Sequence, residues 1–298
     1  MSKLQDEIRH WWESKPMTYD WCDTNLQNEG AREWFEEIDR RLVGNGTHYF
    51  AQDKGQKPFS KLIPFDELKG RDVLEIGCGS GVHARLIAES GAKLKAIDLT
   101  TKAVDLTRQR LQLWGLNADV QSMDAESLDF PDKSFDLVWS WGVIHHSSNT
   151  PRIVAEIARV LRPAGQVRVM VYNRRSINFL VCLIRGFLSG RLFSLGIEET
   201  LNYYSDGRIA QYYTREKFEG LFLPYFDSIE TCILGNKSDL VPIPRFGILG
   251  KFKTFLISTI PDSWASAILS RVGGFIFLVA GRRSDGCLDK PSHDGNVP

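Results

Sequence analysis

The 298-residue sequence predicts an α/β fold, in which a mostly parallel sheet carries helices on both of its faces. From Arg71 onward, short apolar runs alternate with runs of helical period. Three glycines at alternate positions follow the first apolar run directly, as expected where a strand turns tightly into a helix. The hydrophobic content of 43% is sufficient for a full core, in one large domain or two small ones.

Seven segments have the length and composition of buried strands. The candidate strands are 72–76, 93–99, 118–123, 135–141, 166–172, 226–234 and 273–283. Gly91 is placed to end the helix after the first strand, and Thr100 can cap the next helix. Thr150 is the candidate N-cap of a further helix, with Pro151 at the first helical position, and this helix is predicted to stop at 163–165.

The regular alternation loosens after Tyr172. Two apolar segments, at about 174–212 and 236–271, are predicted to be insertions into a sheet domain that spans 71–283. The last residues, 284–298, are mostly polar or turn-forming and predict a disordered tail.

Both insertions are basic within a chain of zero net charge. The stretch 173–197 has four arginines and no acid, and 236–271 has a net charge of +3. The first group comprises Arg174, Arg175, Arg185 and Arg191. Since both stretches are also rich in Phe, Leu and Ile, they predict either contact with an anionic membrane surface or a cap over an apolar substrate. An ordinary helical subdomain with exposed arginines is the alternative.

The cysteines limit the kind of protein. There are five, an odd number, and they are scattered with no CxxC pair, so neither a disulfide framework nor a structural zinc site is expected. The charged N-terminus lacks the apolar region of a signal peptide, and no apolar run approaches the roughly 20 residues of a membrane span. We therefore expect a cytoplasmic protein, with peripheral membrane contact as the alternative raised by the insertions.

The glycine turn excludes two familiar nucleotide sites. Gly77, Gly79 and Gly81 form GxGxG, and Val82 stands where a dinucleotide enzyme has its third glycine. No GK[ST] follows, so the turn is not a P-loop. What remains is a ligand with an adenosine-like body and a compact zwitterionic end.

Four segments in order carry a resemblance to a known family. LEIGCGSG, AIDLTTKAV, MDAESLDFPDKSFDLVWS and GVIHHSSNTPRIVAEIARVLRPAG resemble the class I, Rossmann-like methyltransferases, in particular their small-molecule "type 11" branch. The resemblance covers about 72–172 and implies S-adenosylmethionine as the cofactor. It also implies a seven-stranded, mostly parallel doubly wound sheet whose last strand is antiparallel.

The family's cofactor contacts can be carried over to this sequence. The glycine turn serves the methionine part, an acid ending the second strand accepts the ribose hydroxyls, and an acid after the third strand accepts the adenine amino group. The residues implied are Glu75, Gly77, Cys78, Gly79, Gly81, Asp98, Leu99, Asp124, Ala125, Trp141 and Gly142.

The two aspartates also have simpler interpretations. Asp98 could be only a helix N-terminal charge beside Thr100. Asp124 is followed by Glu126 and Asp129 and could belong to a solvated acidic loop.

Methyl transfer from a sulfonium needs a base only when the attacking group must lose a proton. His145 and His146 are the nearest candidates, at the end of the fourth strand. We take His145 as the candidate catalytic residue, with a packing role as the alternative, and expect no metal site because adjacent side chains there point apart.

The acceptor pocket must come from outside the shared core. Residues 1–70 are predicted to form a helical lid, of whose aromatic side chains about half pack onto the sheet. These aromatic residues are Trp11, Trp12, Tyr19, Trp21, Trp34, Tyr49 and Phe50. The fourth strand ends in SWGV, without the Pro-Pro-aromatic motif of base methylases, and no basic N-terminal arm is present, so nucleic acid is not an expected partner.

The sequence therefore predicts a methyltransferase acting on an apolar small molecule or a lipid-like acceptor. The alternative from another class is a methyltransferase-like protein that binds the cofactor or a partner without catalysis. A nicotinamide oxidoreductase is disfavoured by Val82. The sequence does not indicate an oligomeric state.

Overall fold

The computed structural model describes residues 2–19, 28–50, 57–243 and 247–282, with the side chains of 44–50 and 248 left out. The predicted tail, 284–298, lies outside the described residues. The same holds for Trp21 and for the side chains of Tyr49 and Phe50.

One sheet organises the described residues. Its strands are β1 Asp72–Ile76, β2 Lys93–Asp98, β3 Asp119–Ser122, β4 Phe135–Trp141, β5 Leu161–Asn173, β6 Tyr212–Tyr213, β7 Ser228–Leu234 and β8 Phe275–Gly281. The order is β3-β2-β1-β4-β5-β8-β7, and the short β6 pairs with β5. Strand β8 is antiparallel to β5 and β7, and the other pairings are parallel. The predicted sheet, with its last strand antiparallel, is confirmed.

Ten helices accompany the sheet within the described residues. They are α1 Lys3–Ser14, α2 Arg32–Phe50, α3 Val82–Ala88, α4 Thr101–Leu113, α5 Thr150–Val160, α6 Ile177–Leu188, α7 Arg191–Tyr204, α8 Arg215–Phe222, α9 Gly247–Thr259 and α10 Asp262–Val272. None of them combines the length and the apolar character needed to cross a bilayer.

Two local expectations differ from the structure around α5. The cap of α5 is Asn149, whose side chain accepts from Arg152 N at 3.1 Å, whereas the predicted cap Thr150 is buried and donates to Ile144 O at 2.9 Å. Strand β5 begins at Leu161 and so includes the 163–165 segment that was expected to separate helix from strand. Pairing of Phe135 with Leu161, followed by a register shift in β4, accommodates this early start.

The predicted 1–70 segment divides into two parts with different packing. Trp34, Phe35 and Ile38 of α2 are buried in the core on one face of the sheet. Asp39 of α2 binds Arg110 of α4 at 2.5 Å, and Arg110 is completely buried. Helix α2 is therefore an integral part of the core, and the lid expectation applies to α1 alone.

The opposite face of the sheet has its own core. Ile153 and Ile157 of α5 pack there with Phe218 and Phe222 of α8. Since the chain runs outward from β1 to β3 and then returns to β4, the carboxyl ends of β1 and β4 form a topological switch point. Ligands of open α/β sheets bind at such a point.

Candidate active site

A cavity opens at the carboxyl ends of β1, β2 and β4, where the predicted cofactor residues converge. The predicted residues that line it are Gly77, Cys78, Gly79, Asp98, Leu99, Asp124, Ala125, Trp141 and Gly142. Glu75, Gly81 and His145 are not part of its lining. Nine of the eleven predicted cofactor residues therefore lie at the cavity.

The glycine turn depends on backbone conformations that favour glycine. Gly77, Gly79 and Gly81 all have positive φ, and a Cβ on Gly77 would collide with Val143. Gly77 N and Cys78 N both donate to Ile97 O of β2, at 2.8 and 3.0 Å. Burial raises the pKa of the Cys78 thiol well above its usual range, so this cysteine is not a reactive thiolate.

Asp98 accepts a hydrogen bond from the glycine turn and also faces the cavity. Its Oδ2 accepts from Gly79 N at 3.1 Å, and its Oδ1 accepts from Thr100 N and Thr100 Oγ1 at 3.0 and 2.8 Å. Burial raises the pKa of this carboxyl. The helix N-terminal role considered as an alternative is therefore present, and it is compatible with Asp98 lining the cavity.

Asp124 does not lie in a solvated acidic loop. Its Oδ1 accepts from Gln5 Nε2 and from Glu126 N, each at 3.0 Å. Gln5 is only 3% exposed, and its Oε1 accepts from Ser148 N at 3.1 Å. A single buried amide thus joins α1 to both sides of the cavity rim.

Helix α1 presents one stripe of side chains to the cavity. Gln5, Ile8 and Trp12 line the wall at helical spacing. Glu13 accepts from Thr101 N and Lys102 N, at 3.0 Å each, and so caps the start of α4. The 5, 8, 12 spacing is a local signal of one helix face, but it does not show which part of the protein that face meets.

Glu75 and His83 form a buried polar pair beneath the glycine turn. Burial, together with the negative charge of Asp98, raises the pKa of Glu75 well above its usual range. Burial lowers the pKa of His83 to about 3. His83 Nδ1 lies 3.9 Å from Glu75 Oε1, but both shifts favour the neutral form of the group, which weakens any ion pair between them.

The two adjacent histidines lie in different places. His145 is completely buried outside the cavity lining and packs on Tyr172, with ring centroids 4.1 Å apart, which agrees with the packing alternative. His146 lines the cavity instead, and its Nδ1 lies 2.6 Å from Ile209 O. Because a carbonyl only accepts, Nδ1 carries the proton and Nε2 retains its lone pair. Burial lowers the pKa of His146 to about 4.

The far end of the cavity is mostly aromatic and apolar. Trp141, Met170, Tyr172 and Phe275 come from the ends of β4, β5 and β8. Two polar residues, Asp206 after α7 and Asn236 after β7, complete this acceptor end. Of the residues at this acceptor end, the sequence predicted only Trp141, because the others are brought to the cavity by tertiary structure.

The cavity suits S-adenosylmethionine on its own chemistry. Gly79 lines it with positive φ, where a bare backbone leaves room for a close ligand. Carboxylates at Asp98 and Asp124 lie at separate points of the same wall, as hydroxyl and amino donors of a nucleoside require.

Comparisons with known proteins agree with this site. Residues 74–169 match the family model described as a methyltransferase domain. The ubiquinone biosynthesis O-methyltransferase of Aromatoleum aromaticum is 28% identical over 177 residues, covering 58% of this chain and 76% of that protein. The enzyme of the same name from Thiobacillus denitrificans is 28% identical over 145 residues, covering 48% of this chain and 62% of its own length.

A solved structure extends the likeness beyond the matched domain. Phosphoethanolamine N-methyltransferase 2 of Haemonchus contortus superposes with a TM-score of 0.57 and 18% identity, covering 95% of this chain and 61% of that chain. At that identity the likeness shows a shared fold. Together with the domain match it confirms the predicted family and cofactor: the chain carries a class I, S-adenosylmethionine-dependent methyltransferase domain.

Proposed function

We propose that this chain methylates a hydroxyl group on an apolar small molecule or lipid-like acceptor. The observation that carries the proposal is a single cavity that runs from the glycine turn to an aromatic end containing the neutral imidazole of His146. Relatives named ubiquinone biosynthesis O-methyltransferases support an oxygen acceptor. When bound, the cofactor supplies an electrophilic methyl group whose sulfur leaves without a proton.

Orientation is the main contribution of the chain to this reaction. The glycine turn and Asp98 fix one end of the cavity, while Trp141 and Phe275 form an apolar wall for the acceptor. Holding two reactants in line is worth up to about 7–11 kcal/mol in favourable cases. Helix α1 closes the side of the cavity and keeps water from it, which is the part of the lid prediction that we retain.

His146 is the proposed base, in place of His145. With Nδ1–H held by Ile209 O, the lone pair of Nε2 is available to take the proton of an acceptor hydroxyl. At pH 7 the imidazole is neutral, so its lone pair is free. Because a pKa of about 4 makes it a weak base, the proton is transferred as the methyl group bonds to the oxygen, when the hydroxyl becomes more acidic. His145 then holds His146 and Tyr172 in place by packing.

The test is the release of S-adenosylhomocysteine with three acceptors of matched size: an alkyl phenol, the corresponding aniline and the phenol methyl ether. We expect turnover of the phenol alone, and a large loss of kcat in His146→Gln. His10→Gln, an exposed histidine on α1, is the matched control. Turnover of the aniline alone would reject the hydroxyl acceptor, and cofactor binding without any turnover would favour the non-catalytic alternative.

We also propose a cytoplasmic location. The thiols of Cys78, Cys182 and Cys232 are free, which is usual in a reducing compartment.

A further inference from the structure

Helices α6 and α7 of the first insertion expose seven large apolar side chains. We call these residues the α6–α7 apolar face, which consists of Leu180, Ile184, Phe187, Leu188, Phe193, Leu195 and Ile197. Leu188 and Phe193 are 77% and 75% exposed. The rings of Phe187 and Phe193 lie 5.4 Å apart and join the two helices into one surface. Exposed apolar patches of this kind mark interaction sites.

Helices α6 and α7 form a helical hairpin that packs through an inner side of its own, so the apolar face is not the surface through which the two helices pack. Cys182 and Gly186 of α6 are buried, one turn apart, and a Cβ on Gly186 would collide with Thr200 of α7. On α6 the exposed apolar positions follow a helical spacing and lie away from those buried residues. The two helices therefore pack on each other through small residues and turn large apolar side chains outward.

Cations and tyrosines border this face. Arg185 stacks on Tyr204, with its guanidinium carbon 4.7 Å from the ring centroid, and Arg191 stacks on Tyr203 at 4.2 Å. Arg191 Nη2 also donates to the Tyr203 hydroxyl at 3.1 Å. Arginine and tyrosine each combine an apolar body with a polar tip, which suits the boundary between lipid tails and headgroups.

The charge of the hairpin favours an anionic surface. Between 174 and 204 there are four arginines and two acids, Glu198 and Glu199. Around the α6–α7 turn, all of the charged residues are arginines. Positive side chains next to exposed Phe and Leu are the combination found in segments that lie on anionic membranes.

The second insertion also exposes large apolar side chains. Phe255 of α9 and Trp264 of α10 are 61% and 69% exposed. Helices α6, α9 and α10 all contact the short 3₁₀ helix Lys237–Leu240, so the two insertions meet there. Asp206 and Asn236, at the ends of these insertions, line the acceptor end of the cavity.

We propose that the α6–α7 apolar face docks on an anionic lipid bilayer. The helices lie on the bilayer rather than cross it, since the Phe and Leu side chains enter the tail region while Arg185 and Arg191 meet lipid phosphates. This docking goes beyond methyl transfer and does not depend on which atom is methylated.

Vesicle flotation of the full chain tests the docking, with vesicles of phosphatidylcholine alone and of phosphatidylcholine with phosphatidylglycerol. We expect binding to the anionic vesicles and much weaker binding to the neutral ones. Arg185→Gln with Arg191→Gln should weaken the anionic binding about 30-fold, since each cation near the surface contributes about fivefold. Raising the salt concentration should weaken wild-type binding in the same direction.

The apolar contribution needs its own variant. Leu188→Ser with Phe193→Ser should weaken binding by about 100-fold, from the lost burial of two large side chains. Leu223→Ser with Tyr225→Ser, at exposed positions beyond α8, is the control and should bind as the wild type does. Calorimetry with S-adenosylhomocysteine, independent of turnover, checks that each variant keeps its folded cavity.

Four outcomes would overturn the docking. They are no binding to any vesicle, equal binding to neutral and anionic vesicles, wild-type binding by the Leu188/Phe193 variant, and a dimer in solution that this variant dissociates. The last outcome would assign the face to a second copy of the chain.

Discussion

Replacing Gln5 tests whether α1 closes the cofactor cavity. In Gln5→Leu the side chain keeps its approximate volume but loses both the amide nitrogen that donates to Asp124 and the oxygen that accepts from Ser148 N. The residue is 3% exposed, so water does not replace these bonds while α1 remains in place. The variant therefore shifts the equilibrium towards an open α1.

The magnitude follows from the two bonds. A hydrogen bond to a charged carboxylate contributes about 1.5–3 kcal/mol and a neutral one about 0.5–1.5 kcal/mol. Because such terms are not additive for neighbouring groups, we use the low end of the sum, about 2 kcal/mol. If only the closed form binds the cofactor tightly and the free protein is mainly open, affinity falls by the same free energy, which is about 30-fold.

Calorimetry with S-adenosylhomocysteine measures the affinity, and amide hydrogen exchange across α1 measures its opening. Both should change in Gln5→Leu, while Gln112→Leu, an exposed glutamine of α4, serves as the matched control and should change neither. Wild-type affinity together with unchanged exchange in Gln5→Leu would refute the role of α1 as a closing element.

Three further substitutions probe the cavity. Asp98→Ala should weaken cofactor binding by about 1.5–3 kcal/mol, and it should also lower the free energy of unfolding because Gly79 N and Thr100 N lose their acceptor. If calorimetry gave this variant the cofactor affinity of the wild type, Asp98 would not belong to the site. His146 favours its neutral form in the folded state, as the buried His83 and His145 do, so the free energy of unfolding should fall as pH drops from about 6.5 towards 4. In denaturant titrations His146→Gln should show a smaller decline than the wild type over this range. The pH dependence due to Glu75 has the opposite sign. Because folding raises the pKa of Glu75, the free energy of unfolding should fall as pH rises above the pKa that Glu75 has in the unfolded chain. A Glu75→Gln variant whose stability relative to the wild type did not increase with pH would contradict the burial of Glu75 as a neutral acid.

The strands were predictable because their signals are local. Apolar runs such as 72–76 and 135–141 coincide with β1 and β4, and the glycine turn identifies the carboxyl end at which ligands bind. The two-residue β6 escaped prediction because its pairing with β5 depends on where the first insertion returns to the sheet. Pattern alone could not place Gln5 either, since its partner Asp124 is 119 residues away in the sequence.

The histidine pair shows a similar limit. His145 and His146 are adjacent in sequence, and no periodicity distinguishes a side chain that faces a cavity from one that faces the core. The short 3₁₀ helix Ile144–His146 decides the matter by turning His146 towards Ile209 and the cavity. The residue type was predictable, and the individual residue was not.

The contacts of α1 differ in what they contribute, and this explains why Gln5 is the residue to change. The Glu7–Arg208 pair is about 40% exposed on both sides, and pairs of that kind contribute about 0–1 kcal/mol. Glu13 at the start of α4 adds a helix-terminus interaction of about 0.3–1 kcal/mol. Of these three polar residues of α1, Gln5 alone is buried, and it bonds to Asp124 at the cofactor wall. Because Arg208 follows α7, the weaker Glu7 contact nevertheless joins α1 to the insertion that carries the α6–α7 apolar face. Among its polar contacts, α1 is therefore joined to the cofactor wall through the buried Gln5 and to the insertion through the weaker Glu7–Arg208 pair.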